Sequence, residues 1–268
     1  MPIGRVDVAE NFAISKAASI IEAIADNPYP SNTADLARQL GLPRQTIHRI
    51  LTQLCDVGLI ARDTAQQRFF IGARLRALSL ATLIHAHVDS AANLLLRGLV
   101  NEVRETANIG MLDGDEVVYL NRVECDWPLR VQLRPGSRVP AYCTAIGKLL
   151  LANLPFGERQ RLLAGMRLTR LTPHTRTTRV ELLRDLREIA DRGYAVNDQE
   201  DTVGLVAIAV PITDSRGRIV AGLAVHALEA RIRLAALPRL LPRLRRTAAK
   251  LAPVLFDATT PYEKRDAV

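Results

Sequence analysis

Arg44, Gln45, Thr46, His48 and Arg49 fall within a span of six residues. They carry side chains that read base edges in a DNA groove: arginine pairs with guanine, glutamine with adenine, and threonine packs its methyl on thymine. Ile47, Ile50, Leu51 and Leu54 recur among them at helical spacing, so one helix would bury the apolar set and present the polar one. An ordinary solvated helix face has the same pattern, and the flanking chain decides between the two. Residues 32–41 read as a short capped helix ended by Gly41. Leu42 and Pro43 turn the chain, with Pro43 expected at a first helical position, where a missing N–H costs nothing. A second helix then runs from Arg44 through Val57 and is closed by Gly58. Two short helices joined by such a turn place the second in a major groove. Residues 59–62 and 68–71 read as a hairpin wing whose Arg62 and Arg68 would meet phosphates, fixing register rather than sequence. Residues 15–26 supply the third helix, with Ala17, Ile20, Ile21 and Ile24 as its inner stripe and Pro28 and Pro30 as its stop. Operator DNA is the expected partner.

Residues 134–148 are the second place where chemistry could gather. A loop delivers the chain into a helix beginning near Thr144, whose first N–H groups, at Ala145 and Ile146, lack intrahelical partners. Such a terminus attracts a carboxylate through its donors and dipole. A helix start capped by Thr144 and filled with water fits the same spacing, and both readings stand. Cys143, beside that start, raises the class of cysteine-dependent enzyme. A nucleophile also needs a positioned base and an oxyanion donor. His174 and His226 are the candidate bases in this half, and neither is adjacent in sequence, so Cys143 reads as lining or packed. His85 and His87 point to different faces of a helix, and Cys55, Cys125 and Cys143 lack CxxC spacing. No metal, other cofactor or catalytic residue is expected.

The elements that must position these residues follow from pattern. Residues 74 to about 106 are mostly helical with an interruption near 87–90. The first part, carrying Leu75, Leu78, Leu83 and Ile84, reads as a linker helix whose apolar side would pair with a second subunit. The period then changes to that of strands at 108–111, 116–123, 129–133, 194–196, 205–212 and 218–226. Asp113-Gly114 suits a hairpin with positive φ. Thr178 and Glu181 form a capping box for a helix that Gly193 ends. Near the C-terminus Arg231, Arg233, Arg239, Arg243, Arg245, Arg246 and Lys250 interleave with Leu234, Leu237, Leu241 and Leu244, a basic solvated face over a packing stripe. The expected class is α+β, an antiparallel sheet covered by helices behind a winged helix-turn-helix.

A chain of 268 residues, 48% hydrophobic, has room for a small domain and a larger one with real cores. The expected division is 11–73 for the DNA-binding domain, 74–88 for the linker helix and 89–257 for the larger domain. The net charge of +8 fits a nucleic-acid partner, yet the first 80 residues hold an excess of only two basic side chains. The motif therefore carries the DNA assignment. No apolar run of about 18 residues and no signal pattern occur, so no membrane partner and a cytoplasmic location are expected.

Three segments together resemble the IclR family of bacterial transcriptional regulators over nearly the full length: residues 40–51 (LGLPRQTIHRIL), 145–152 (AIGKLLLA) and 204–212 (GLVAIAVPI). Residues 136–144, 171–175 and 198–200 are similar to the subgroup that controls aromatic-acid catabolism, with effectors such as 4-hydroxybenzoate, protocatechuate and β-ketoadipate. The resemblance implies a GAF-like effector-binding domain and a homodimer or dimer of dimers. It further implies that a small organic acid modulates operator binding. In that frame Ala145 and Ile146 would hold the effector carboxylate with backbone amides, and Val131, Val139 and Leu205 would line the pocket. Met111, Tyr142, Cys143 and Thr144 complete the expected site. Asn197, Ala207, Ala224 and His226 match positions where glyoxylate-responsive members use an aspartate, a cysteine and two serines. The replacements imply a roomier, less polar pocket, suited to an aromatic ring more than to glyoxylate or pyruvate. Ala224 and His226 share a strand face, so both are expected inward. A DNA-binding protein whose second domain only dimerises is the remaining alternative.

Overall fold

The computed structural model describes residues 13–27, 31–63, 67–85, 91–128 and 133–256. The chain divides into two compact units, Met1–Thr82 and Leu83–Val268. In the first, α1 (Ala13–Asp26), α2 (Thr33–Leu40) and α3 (Arg44–Asp56) surround a core of Ile20, Ile24, Leu36, Ile47, Leu51 and Leu54. Asn32 caps α2 by accepting from the Asp35 amide at 2.9 Å, and Gly41 ends it in the left-handed region at φ 65°. Pro43 departs from expectation by one position. Its ψ of 139° is extended, so it is the N-cap residue of α3 and lends its carbonyl to the Ile47 amide at 3.1 Å.

The wing is a two-stranded antiparallel hairpin of β1 (Ile60–Asp63) and β2 (Arg68–Ile71). Ser31 adds a bridge to Phe69, and Ile60 and Phe69 close the core beneath. The helix α4 (Ala73–His85) follows, and the division between the units falls within it. None of its described side chains is buried, and Leu78 is 53% exposed. The interruption expected near 87–90 and the helix stop at Pro28 and Pro30 lie outside the described residues.

The second unit is built on a six-stranded antiparallel sheet in the order β5-β4-β3-β8-β7-β6. These strands are β3 (Thr106–Asp113), β4 (Glu116–Val123), β5 (Arg138–Pro140), β6 (Ala195–Asp198), β7 (Leu205–Thr213) and β8 (Ile219–Leu228). Strand alternation separates two sets of inward residues. Val117, Tyr119, Ala207, Ala209 and Ala224 pack with α6 (Ala145–Ala152) and α8 (Arg179–Arg192). The alternate set faces α5 (Ala91–Val103) and α9 (Leu241–Phe256), as the Asn93–Asn121 hydrogen bond between α5 and β4 records. The capping box of α8 is present: Thr178 accepts from the Glu181 amide, its hydroxyl donates to the Glu181 carboxylate, and Gly193 ends the helix at φ 72°.

Three features differ from the pattern reading. β5 is a strand of three residues where only a loop is expected, too short for alternation to register. The helix α7 (Phe156–Gly165) stands on Pro155 as its N-cap and buries only Leu163, so it has no apolar stripe to announce it. The C-terminal amphipathic segment is two elements, a 3-10 stretch at Leu234–Leu240 and then α9. Pro238, which has no N–H to donate, sits in the first. Of the strand expected at 129–133, only Leu133 is described, and it has no regular structure.

Candidate functional site

On α3 the apolar side chains Ile47, Ile50, Leu51 and Leu54 are buried, which turns the remaining positions outward. Arg44, Gln45, His48 and Arg49 are exposed and Thr46 is half-buried on the same outer side. The Thr52 hydroxyl donates to the His48 carbonyl at 3.0 Å, one turn along that face. Arg62 on β1 is held in place. It donates to the Gln67 amide oxygen, and its guanidinium lies 5.7 Å from the Phe69 ring centroid. Arg68 is exposed at the start of β2, paired in register with Asp63. The wing tip lies outside the described residues. A helix face of base-reading side chains beside a hairpin with two arginines can read a groove and grip a backbone.

In the second unit the chain enters α6 through a 3-10 turn at Ala141–Cys143. Thr144 caps α6, its Oγ1 accepting from the Gly147 amide at 3.3 Å and donating to the Pro140 carbonyl at 3.0 Å. Gly147 is required here, because a Cβ would lie 2.2 Å from the Ala141 carbonyl oxygen. The N–H groups of Ala145 and Ile146 are the first donors of the helix and have no partner within it. Ile146 lies against β3 and β8. A Cβ on Gly222 would come within 2.9 Å of it and one on Gly110 within 3.4 Å. Small residues on the sheet therefore let α6 close on it. Ala207 and Ala224 belong to that same filled cluster, which corrects the expectation that they open room for a ring.

Further along the same face is a small cavity of about 20 Å³, room for about one water, with Thr106, Tyr119, Arg122, Asp201, Leu205 and His226 in its lining. His226 faces Ala207 across the strand pair and shares its face with Ala224. Its Nε2 lies 3.0 Å from Asn108 Oδ1, and its ring meets Tyr119 edge-on at 6.5 Å. Since that oxygen accepts, Nε2 carries the proton and Nδ1 is left as an acceptor. Burial, helped by the Arg122 charge, pushes the His226 pKa down to about 3, so the ring is neutral at physiological pH. Burial and the Asp201 charge push the Tyr119 hydroxyl up to about 12.

The other expected site residues fall as follows. Val139 on β5 is half-buried against Val117. Tyr142 is buried, its hydroxyl donating to the Thr169 carbonyl at 2.7 Å. Cys143 is fully buried, and desolvation together with Asp201 and Glu200 pushes its thiol up to about 12. A thiol in that state is packed, not poised for attack. Asn197 is engaged at both ends of its amide, accepting from the Glu200 N–H at 2.8 Å and donating to Asp201. Met111 is a correction. Gly110 lies against Ile146 and Leu112 packs with the α6 cluster, so alternation sends Met111 to the opposite face. Val131 lies outside the described residues.

Sequence reasoning missed Thr106, Tyr119, Arg122 and Asp201. Arg122 is hidden from alternation by a bulge. Gly110 pairs with Tyr119 but Ile109 with Asn121, so Leu120 is an extra residue on β4. Tyr119 and Arg122, three apart, consequently line one cavity, while Asn121 faces α5. Also unforeseen is Lys148, fully buried, whose Nζ donates to Asp185 at 2.7 Å and Glu200 at 2.5 Å. Among the described residues no group of three metal-ligating side chains is placed to hold an ion, and no helix is long and apolar enough to cross a membrane.

A family profile for the IclR helix-turn-helix domain matches residues 13–64, and one for the bacterial transcriptional regulator IclR C-terminal domain matches residues 80–252. The chain belongs to the IclR family. This IclR-family chain is 41% identical to the "probable transcriptional regulator SauR" of Cupriavidus necator over 90% of its own length and 96% of that protein's. It is similar to IclR of Thermotoga maritima at 27% identity and a TM-score of 0.60, covering 90% of this chain and 98% of that one. It is also similar to the inducer-binding domain of Acinetobacter PobR, solved as a double mutant with 3-hydroxybenzoic acid. That likeness is 32% identical with a TM-score of 0.56 over 60% of this chain and 95% of that one. The chain is thus a DNA-binding transcriptional regulator, α+β in class, with a helix-turn-helix unit ahead of a sheet-and-helix unit.

Proposed function

We propose that the second unit of this regulator binds a small organic acid and that binding shifts operator affinity. The observation that carries the reading is the polar set of His226, Asn108 and Tyr119 on the sheet face that also meets the start of α6, with Asp201 beside them from the β6–β7 turn. A carboxylate would rest on the first amides of α6, at Ala145 and Ile146, where donors and dipole favour an anion. The far end of the molecule would meet neutral His226 and its neighbours. A hydroxylated aromatic acid, 4-hydroxybenzoate or protocatechuate, carries a group for each end, and PobR is a relative solved with such a compound. Control of aromatic-acid catabolism is the matching role. A second reading, a glyoxylate- or pyruvate-type oxoacid, is favoured by the narrowness of the cavity and by Ile146 filling the sheet floor.

On the DNA side, Arg44, Gln45, Thr46, His48 and Arg49 read bases while Arg62 and Arg68 hold phosphates. Two such units in a homodimer, or a dimer of dimers, would meet half-sites about one helical turn or a multiple apart. Effector and operator must then alter each other's affinity by the same factor. Calorimetric titration of the full chain with 4-hydroxybenzoate, protocatechuate, β-ketoadipate, glyoxylate and pyruvate tests the effector class. Saturable binding of the hydroxylated aromatic acids alone supports the first reading, and of the oxoacids alone the second. No binding by any of them overturns both.

A further inference from the structure

Lys148 lies in the first turn and a half of α6, one of the largest fully buried side chains among the described residues, on a helix whose other residues are all apolar and buried. Burying an ammonium costs several kcal/mol unless it is paired, and here it is paired twice. Asp185 comes from α8 and Glu200 from the turn between β6 and β7. That turn is bound on every side. Thr175 donates to the Glu200 carbonyl and Thr172 to the Gln199 carbonyl, each at 2.7 Å, and Asn197 accepts from the Glu200 amide. Gln199 sits at φ 57°, a left-handed conformation that a glutamine adopts only under constraint. Asp201, which directly follows Glu200, lines the cavity beside Tyr119, Arg122 and His226.

We propose that Lys148 is a positioning residue for the effector site: its bridge to Asp185 and Glu200 locks the 199–204 turn to α6 and so sets where Asp201 stands in the cavity. Lys148 itself lines no part of that cavity. The inference rests on the reading of this cavity as the effector site. It also gives residues 171–175 and 198–200 a physical task, since Thr172, Thr175 and Glu200 meet to build the turn, although they are far apart in sequence. Glu200 Oε2 is buried without a hydrogen-bond partner, so Lys148 on Oε1 is what holds this carboxylate.

The test uses the full chain and the Lys148→Met and Lys148→Met/Glu200→Leu variants. The double variant replaces the buried pair by apolar groups, an exchange that often preserves stability, and so keeps the question answerable if the single variant fails to fold. Backbone hydrogen exchange and 4-hydroxybenzoate affinity are measured on each, with operator affinity in the absence of acid as the control. Positioning requires that the double variant melt within a few degrees of the parent while the amides of Glu200, Gly204 and Leu205 exchange at least tenfold faster. It also requires that 4-hydroxybenzoate affinity fall at least tenfold at unchanged operator affinity. Unchanged exchange in the turn overturns the proposal, as does faster exchange with undiminished affinity. If the parent binds none of the panel acids, the effector reading fails, and the exchange of the turn alone decides the role of Lys148.

Discussion

Arg49 and His226, proposed as a base contact and an effector contact, each make a separable prediction. Arg49→Ala removes a guanidinium, proposed to read a base, from the exposed face of α3. Operator affinity should fall by about 1–3 kcal/mol, with selectivity between operator and unrelated DNA reduced. Fluorescence anisotropy against both duplexes measures this, and an unchanged preference would exclude α3 as the reading helix. For His226 the prediction concerns pH. Its folded pKa of about 3 lies below the ordinary value of 6.5, so between those values the unfolded chain binds the extra proton. Stability therefore rises with pH through that window, is fully present above about 6.5 and is lost progressively as pH falls toward 3. Melting temperature against pH, compared with His226→Asn, should show a flatter slope in the variant between pH 4 and 6. Glu200 and Asp201, raised by burial, titrate in both proteins and drop out of the comparison. Equal slopes would mean that the ring is solvated.

Elements explain both what was legible in the chain and what was not. The caps at Asn32, Gly41, Thr178 and Gly193 announce α2 and α8 because each signal acts within a few residues. The 116–123 strand, Thr144 as a helix start and the shared face of Ala224 and His226 are local in the same sense. What escapes is set by the partner strand or helix. The extra residue at Leu120 carries Arg122 to the cavity and Met111 never reaches it, yet neither outcome follows from the residues themselves. Ala207 and Ala224 suggest open space on their own, yet both are buried in the cluster that α6 and α8 close on the sheet. The packing of the preceding 3-10 turn on α6 depends on Gly147. A Cβ there would meet the Ala141 backbone, which cannot yield as a flexible side chain would. Gly147→Ala should therefore cost at least about 1–3 kcal/mol, the usual range for overpacking, and lower effector affinity as the helix start shifts. Chemical denaturation and calorimetry check the pair of effects, and a variant as stable as the parent would show that the 3-10 turn can retreat.

For the whole molecule, two compact units on one chain predict independent folding. Residues 83–268 produced alone should unfold in one cooperative transition and retain the His226-dependent slope with pH. Differential scanning calorimetry of the fragment and the full chain measures this, and a fragment without a cooperative transition would show that the sheet unit needs the first. The order of the six strands carries a further consequence. β3 and β8, at the centre of the sheet, are its earliest strand and its last, and the His226–Asn108 contact joins residues 118 apart. The cavity therefore cannot exist until the ribosome has passed Leu228, whereas everything needed for the first unit has been made by Thr82. At about 5–20 residues per second the interval is roughly 7 to 30 s. During its own synthesis each chain thus holds a finished DNA-reading unit before it has any place for a signal to bind.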